Sequence, residues 1–155
     1  MANAPMKPVI DPKTWFVGLW IGIDPLDGAE YTREFVPIPG EDYKFAFTGR
    51  LEYSQICGGP PPQGGQVTDI PDVTDLMIPA LLTGTGIVDL TTNSIKAAID
   101  LTCFGDEDPI AKGVPAEFVP VGHDLLLEVP SFRANDPIWL HRASPYYKPL
   151  TYEYH

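Results

Sequence analysis

A proline or a glycine interrupts this chain so regularly that a long α-helix has nowhere to form. Among 155 residues stand 18 prolines and 14 glycines, and a proline inside a helix removes a backbone donor and clashes with the preceding turn. The runs between these breakers either alternate in polarity or are rich in β-branched and aromatic residues, which suits pleated strands. Residues 15–23 read as a strand that is apolar on both faces, and residues 31–36 alternate. Residues 43–48 set three aromatics on one face, and residues 50–57 continue them past Gly49 as a bent or bulged run. Residues 86–90 and 94–104 read as a hairpin, 117–121 and 123–129 as a second one across Gly122, and 137–142 as a last strand. Residues 76–82 read as the start of a helical turn that Pro79 interrupts. The expected fold is all-β, with about eight to ten antiparallel strands that close on themselves or stack as two sheets, because open edges invite aggregation.

At this length one domain is expected. We place an N-terminal arm at 1–14, the β-domain at 15–144 and a tyrosine-rich tail at 145–155. Hydrophobic residues at 44% with 20% charged argue for a packed globule rather than disorder. The glycine- and proline-rich segment 58–75 reads either as a binding loop or lid, or as a solvated insertion without a role. A net charge of −11 repels nucleic acid and anionic membrane surfaces, so neither is an expected partner. The opening residues carry no basic start followed by an apolar run, and no apolar stretch approaches the ~20 residues of a helical span. A cytoplasmic address is the default, although a chain whose leader has been removed would read the same way. Cys57 and Cys103 cannot make a four-ligand zinc site alone; they read as two free thiols in a reducing compartment, with one disulfide as the alternative.

Gly18-Leu19-Trp20 matches the G-x-W at the start of the first barrel strand of lipocalins and their calycin relatives. In that family the tryptophan plugs one end of the barrel, and an arginine near the last strand packs over the indole. The resemblance therefore implies a lipocalin-like antiparallel β-barrel and gives the packing role to Arg142. Gly18 and Gly22 lie two residues to either side of Trp20, on its face, and are read as making room for the indole. The same G-x-W-x-G run is also similar to the start of nitrobindin-type haem barrels, where a histidine near the C-terminal end holds the iron. That resemblance would give His141 the ligand role, but the rest of the haem pattern is not evident, and no cofactor or metal is expected.

Two function classes follow from a barrel of this kind. The first is a binding module that holds a small hydrophobic or aromatic organic molecule in its interior, with Trp20, Tyr43, Phe45, Phe47, Tyr53, Phe118 and Trp139 as candidate ligand-binding residues. The second is a cofactor-free cyclase, isomerase or lyase. Its candidate acid–base groups are His141, which shares strand parity with Trp139, and Asp24, which continues the face of Trp20 and Gly22. The acidic turn of Asp24, Asp27 and Glu30 fails the spacing of a calcium loop. No G-x-S-x-G, P-loop, dinucleotide fingerprint, H-E-x-x-H or C-x-x-C is present, which removes support for those chemistries. A third, structural reading takes the two-sided apolar first strand as a subunit interface, giving a homodimer.

Overall fold

The computed structural model describes residues 10–25, 28–52, 54–57, 78–131 and 135–144. They form one closed, antiparallel, eight-stranded barrel in which every strand pairs with its neighbours in chain order. The strands are β1 (Gly18–Ile23), β2 (Glu30–Pro37), β3 (Lys44–Leu51), β4 (Ala80–Asp89), β5 (Ser94–Cys103), β6 (Ala111–Gly122), β7 (Leu125–Pro130) and β8 (Ile138–Arg142). A single 3₁₀ turn, Gln55–Cys57, follows β3, and no α-helix occurs among the described residues. The ring closes where β8 pairs with β1, Gly22 opposite Leu140 and Trp20 opposite Arg142. Closure leaves no edge strand to template aggregation.

Period-two alternation builds the interior. Tyr31, Arg33 and Phe35 of β2, Phe45, Phe47 and Leu51 of β3, and Leu126 and Glu128 of β7 all point inward and are buried. Outward positions such as Thr32 and Glu34 of β2 lie nearer to water, as expected for sheets with one wet face. No helix of the described residues is long and apolar enough to cross a membrane.

Several expectations about individual elements are corrected. Residues 15–17 are turns rather than strand: Trp15 N donates to Asp11 O and Val17 N to Thr14 O. β3 passes through Gly49 without a bulge and stops at Leu51. Residues 80–82, read as a helical turn, open the ten-residue strand β4, because Ala80 to Asp89 find a complete partner register on β5. β6 begins at Ala111, ahead of the expected 117, and carries Gly113 and Pro115 with an irregularity opposite Ile99 and Leu101.

The glycines around Trp20 also serve another purpose than the expected one. Gly18 has φ +119°, a conformation that a side chain would strain. A Cβ on Gly22 would lie 2.3 Å from the Trp139 carbonyl oxygen and 2.9 Å from Leu140 Cδ2. Gly22 therefore admits the backbone of β8, and without it the barrel could not close at this register.

One end of the barrel is sealed. Trp20 and Phe16 are fully buried, and Trp20 Nε1 donates to Phe16 O at 2.9 Å. Arg142 lies over this plug with its guanidinium 4.3 Å from the Trp20 ring and 5.3 Å from that of Trp15. Its Nε donates to Asp124 Oδ1 at 2.7 Å, Nη1 to Val17 O at 2.9 Å and Nη2 to Trp15 O. Arg142 thus stands where the lipocalin resemblance puts it, and it ties the last strand to the chain entering the first. Below the plug, Phe35, Phe47 and Phe118 pack with ring centroids 5.0–5.6 Å apart, in the tilted and edge-on arrangements that aromatic quadrupoles favour.

The opposite end is fastened covalently. Cys57 and Cys103 are disulfide-bonded, not free. The 3₁₀ turn returns Cys57 to the end of β5, with the two Cα atoms 5.5 Å apart, a separation that a bridge spans. The bridge closes a loop of sequence separation 46, so replacing both cysteines with serine is expected to lower stability by about 4 kcal/mol on the loop-entropy relation. Urea unfolding of the variant against the oxidised parent checks this.

Candidate functional site

The inward faces of β2 and β7 are apolar except for one charge each, Arg33 and Glu128, and the two charges meet across the lumen. Arg33 Nε donates to Glu128 Oε1 at 2.7 Å and Nη2 to Oε2 at 3.0 Å, a two-point geometry that matches a planar guanidinium to a carboxylate. Both side chains are 1% exposed. Nη1 donates to Thr32 O at 2.7 Å. Gly49, opposite Arg33 in the β2–β3 register, leaves the space this side chain fills: a Cβ there would lie 2.7 Å from Arg33 Cδ and Nη1.

A second polar contact adjoins the pair. The Arg33 guanidinium lies 5.0 Å from the Tyr31 ring centroid, and Tyr31 Oη donates to Asp24 Oδ2 at 3.0 Å. Asp24 is buried at the end of β1, where its own backbone closes a turn with Gly28 and Ala29. Burial pushes the Tyr31 phenol far above its ordinary value, and the neighbouring Asp24 charge adds to this while Arg33 opposes it. No buried side-chain nitrogen or oxygen among the described residues lacks a hydrogen-bond partner.

On the disulfide side of this polar layer lies a cavity of about 240 Å³. Tyr31, Arg33 and Glu128 border it, and Leu51, Leu82, Ile99, Leu101 and Ile138 supply apolar walls. Ile56 of the 3₁₀ turn, next to the bridged Cys57, borders it at the rim. The barrel is therefore solid at its arginine-capped end and hollow at its disulfide end. A broader concavity of about 620 Å³ runs over the outer surface of β4 to β7. Within it Glu117 accepts from Lys96 at 2.8 Å and from Ser94 at 2.6 Å, which holds its carboxyl below the usual value.

The residues expected to bind a ligand lie elsewhere. Trp20, Phe45, Phe47 and Phe118 belong to the solid aromatic half. Tyr43, at φ 65°, precedes β3 at the capped end, with Lys13 Nζ 5.6 Å from its ring centroid. Tyr53 and the segment 58–75 lie outside the described residues, as do most of the arm and all of the tail. Trp139 and His141 do share a face, but it is the outer one, because Ile138 and Leu140 take the inward positions. Trp139 is 49% exposed, and His141 sits outward between Ile21 of β1 and Leu125 of β7. Asp24 does face inward, as strand parity implies, and reaches the cavity layer through Tyr31.

Sequence reasoning missed Arg33 and Glu128, although a signal existed. Each is the single charge on the inward parity of an otherwise apolar strand, Tyr31-Arg33-Phe35 and Leu126-Glu128-Pro130, and the two signs are opposite. In comparisons with known proteins no family model matches the chain, and no curated protein or solved structure does either.

Two outcomes test this layer. Arg33→Met leaves Glu128 buried without its partner and is expected to cost about 3–5 kcal/mol in chemical denaturation. Because Tyr31 holds its proton more tightly folded than unfolded, its contribution is complete below its ordinary value of 10.0 and is lost as pH rises past it. The parent should thus lose stability above about pH 10 more steeply than Tyr31→Phe, read as denaturation midpoints along a pH series.

Proposed function

We propose that this lipocalin-like barrel binds a small hydrophobic or aromatic organic molecule in the cavity at its disulfide end. The observation that carries the reading is a concave, apolar-walled space of about 240 Å³ above a polar layer whose groups are satisfied among themselves. Such a space offers a ligand burial of apolar surface without requiring it to pair an orphaned charge. The solid aromatic half supports the reading as well, because a rigid floor keeps the hollow half from collapsing. Catalysis is the less supported alternative: His141 faces outward, and the Asp24 carboxylate is engaged by Tyr31.

The Cys57–Cys103 bridge supports the alternative reading of an oxidising compartment over the reducing cytosol. A homodimer, expected from the two-sided first strand, would be built on the outer face where Ile23 is 64% and Trp139 49% exposed.

Native mass spectrometry of the purified protein reads both proposals, through the mass of any retained apolar molecule and through the oligomeric state. In parallel, Leu82→Trp places an indole in the cavity, and it should weaken binding of an apolar fluorescent probe at least tenfold with the β-sheet circular dichroism kept. An empty parent that takes up no such probe would overturn the binding reading.

A further inference from the structure

The polar layer limits what the cavity can accept. Arg33 is the one lysine or arginine among the described residues lining it, and its charge is already met at two points by Glu128. The remaining nitrogen, Nη1, donates to the Thr32 carbonyl. Behind Tyr31 stands a further carboxyl group, that of Asp24. A ligand carboxylate would therefore enter a low-dielectric space beside Glu128 where, among the described lining residues, the one cation is already paired. At the guanidinium N–H groups that Glu128 and Thr32 leave unused it would share a single positive charge with Glu128, two carboxylates on one cation, and displacing Glu128 instead would leave that side chain buried and unpaired. An uncharged molecule meets only the apolar walls and the edge of a neutral ion pair. We infer that the cavity prefers uncharged ligands to organic acids, and that Glu128 sets this preference by occupying Arg33.

Size narrows the class further. Cavities on the order of 150 Å³ take up benzene, so about 240 Å³ suits a frame of one or two rings with at most a hydroxyl or carbonyl group. The inference rests on the cavity reading above, and the two can fail separately.

The experiment uses two probes on one hydrocarbon frame, 2-naphthalenemethanol and 2-naphthoate, titrated calorimetrically into the oxidised full-length chain. The alcohol is expected to bind at least tenfold more tightly than the acid. In Glu128→Gln the carboxamide no longer neutralises Arg33, and the acid-to-alcohol affinity ratio should rise at least tenfold. The paired variant Arg33→Met with Glu128→Met has no cation to offer, and its ratio should not rise. Tighter binding of naphthoate by the parent, or a ratio unmoved in folded Glu128→Gln, would overturn the inference while leaving a ligand-binding barrel. A rise in the paired variant would also overturn it, since Arg33 would not then be the receiving group. If Glu128→Gln does not fold, the parent ratio and the paired variant decide. Binding of neither probe by the parent, with no apolar ligand retained in the native mass spectrum, would remove the cavity reading itself.

Discussion

The bridge between Arg33 and Glu128 is the constraint around which the interior of this barrel is arranged. Removing two full charges from water costs several kcal/mol per ion, and only near-ideal geometry with further hydrogen bonds offsets it. The surrounding residues meet that condition in detail. Gly49 leaves room for the guanidinium, Thr32 accepts from the nitrogen that Glu128 does not reach, and the Tyr31 ring lies against the guanidinium. The pair joins β2 to β7, 95 residues apart in the chain and not hydrogen-bonded to each other as strands. A one-residue slip of either strand would turn its charge outward and leave the partner stranded. The pair is thus better understood as a device that fixes register than as a large net source of stability.

Closure depends on small residues as much as on large ones. Gly22 lets β8 approach β1 to within contact of its carbonyl, and Arg142 then secures the junction through three donors and two aromatic faces. At the other end the Cys57–Cys103 bridge holds the 3₁₀ turn beside the rim of the cavity. The two ends are stabilised by different physics: a partly buried cation–aromatic stack at one, a covalent limit on the unfolded chain at the other. The difference accords with their roles in the proposed function, since a permanent plug can be solid whereas a binding end must hold its walls in place around a space.

The division into a solid and a hollow half explains why the most conspicuous aromatics do not line the cavity. Large rings are the residues a sequence reader assigns to a ligand pocket, yet Phe35, Phe47 and Phe118 fill the lumen by packing on one another. Where the rings stop, aliphatic side chains such as Leu82, Ile99 and Leu101 are too small to meet across the barrel, and a cavity remains.

Much of the strand content was legible from local pattern alone. Alternation in 31–36, the aromatic alternation of Phe45 and Phe47 and the hairpin across Gly122 each correspond to strands of the barrel, although Tyr43, read with those two, precedes β3 at a positive φ, and G-x-W with a late arginine pointed to its capped end. Elements that local chemistry disfavours were not legible: the Thr-Gly-Thr-Gly run of β4 is extended because β3 and β5 supply complete registers on both sides, and β6 starts as early as Ala111 by pairing with β5 through a register shift that Gly113, at φ +61°, accommodates. Parity also showed that Trp139 shares a face with His141, but it could not say which face. That choice belongs to Ile138 and Leu140, whose burial is settled only when β8 meets β1 and β7. The sequence by itself determined periodicity, breakers and charge, and with them an all-β chain whose strands must either close on themselves or stack as two sheets. Tertiary structure alone decided which of two alternating faces is inside, that the two cysteines meet and which two distant charges pair, because each depends on contacts between segments far apart in the chain.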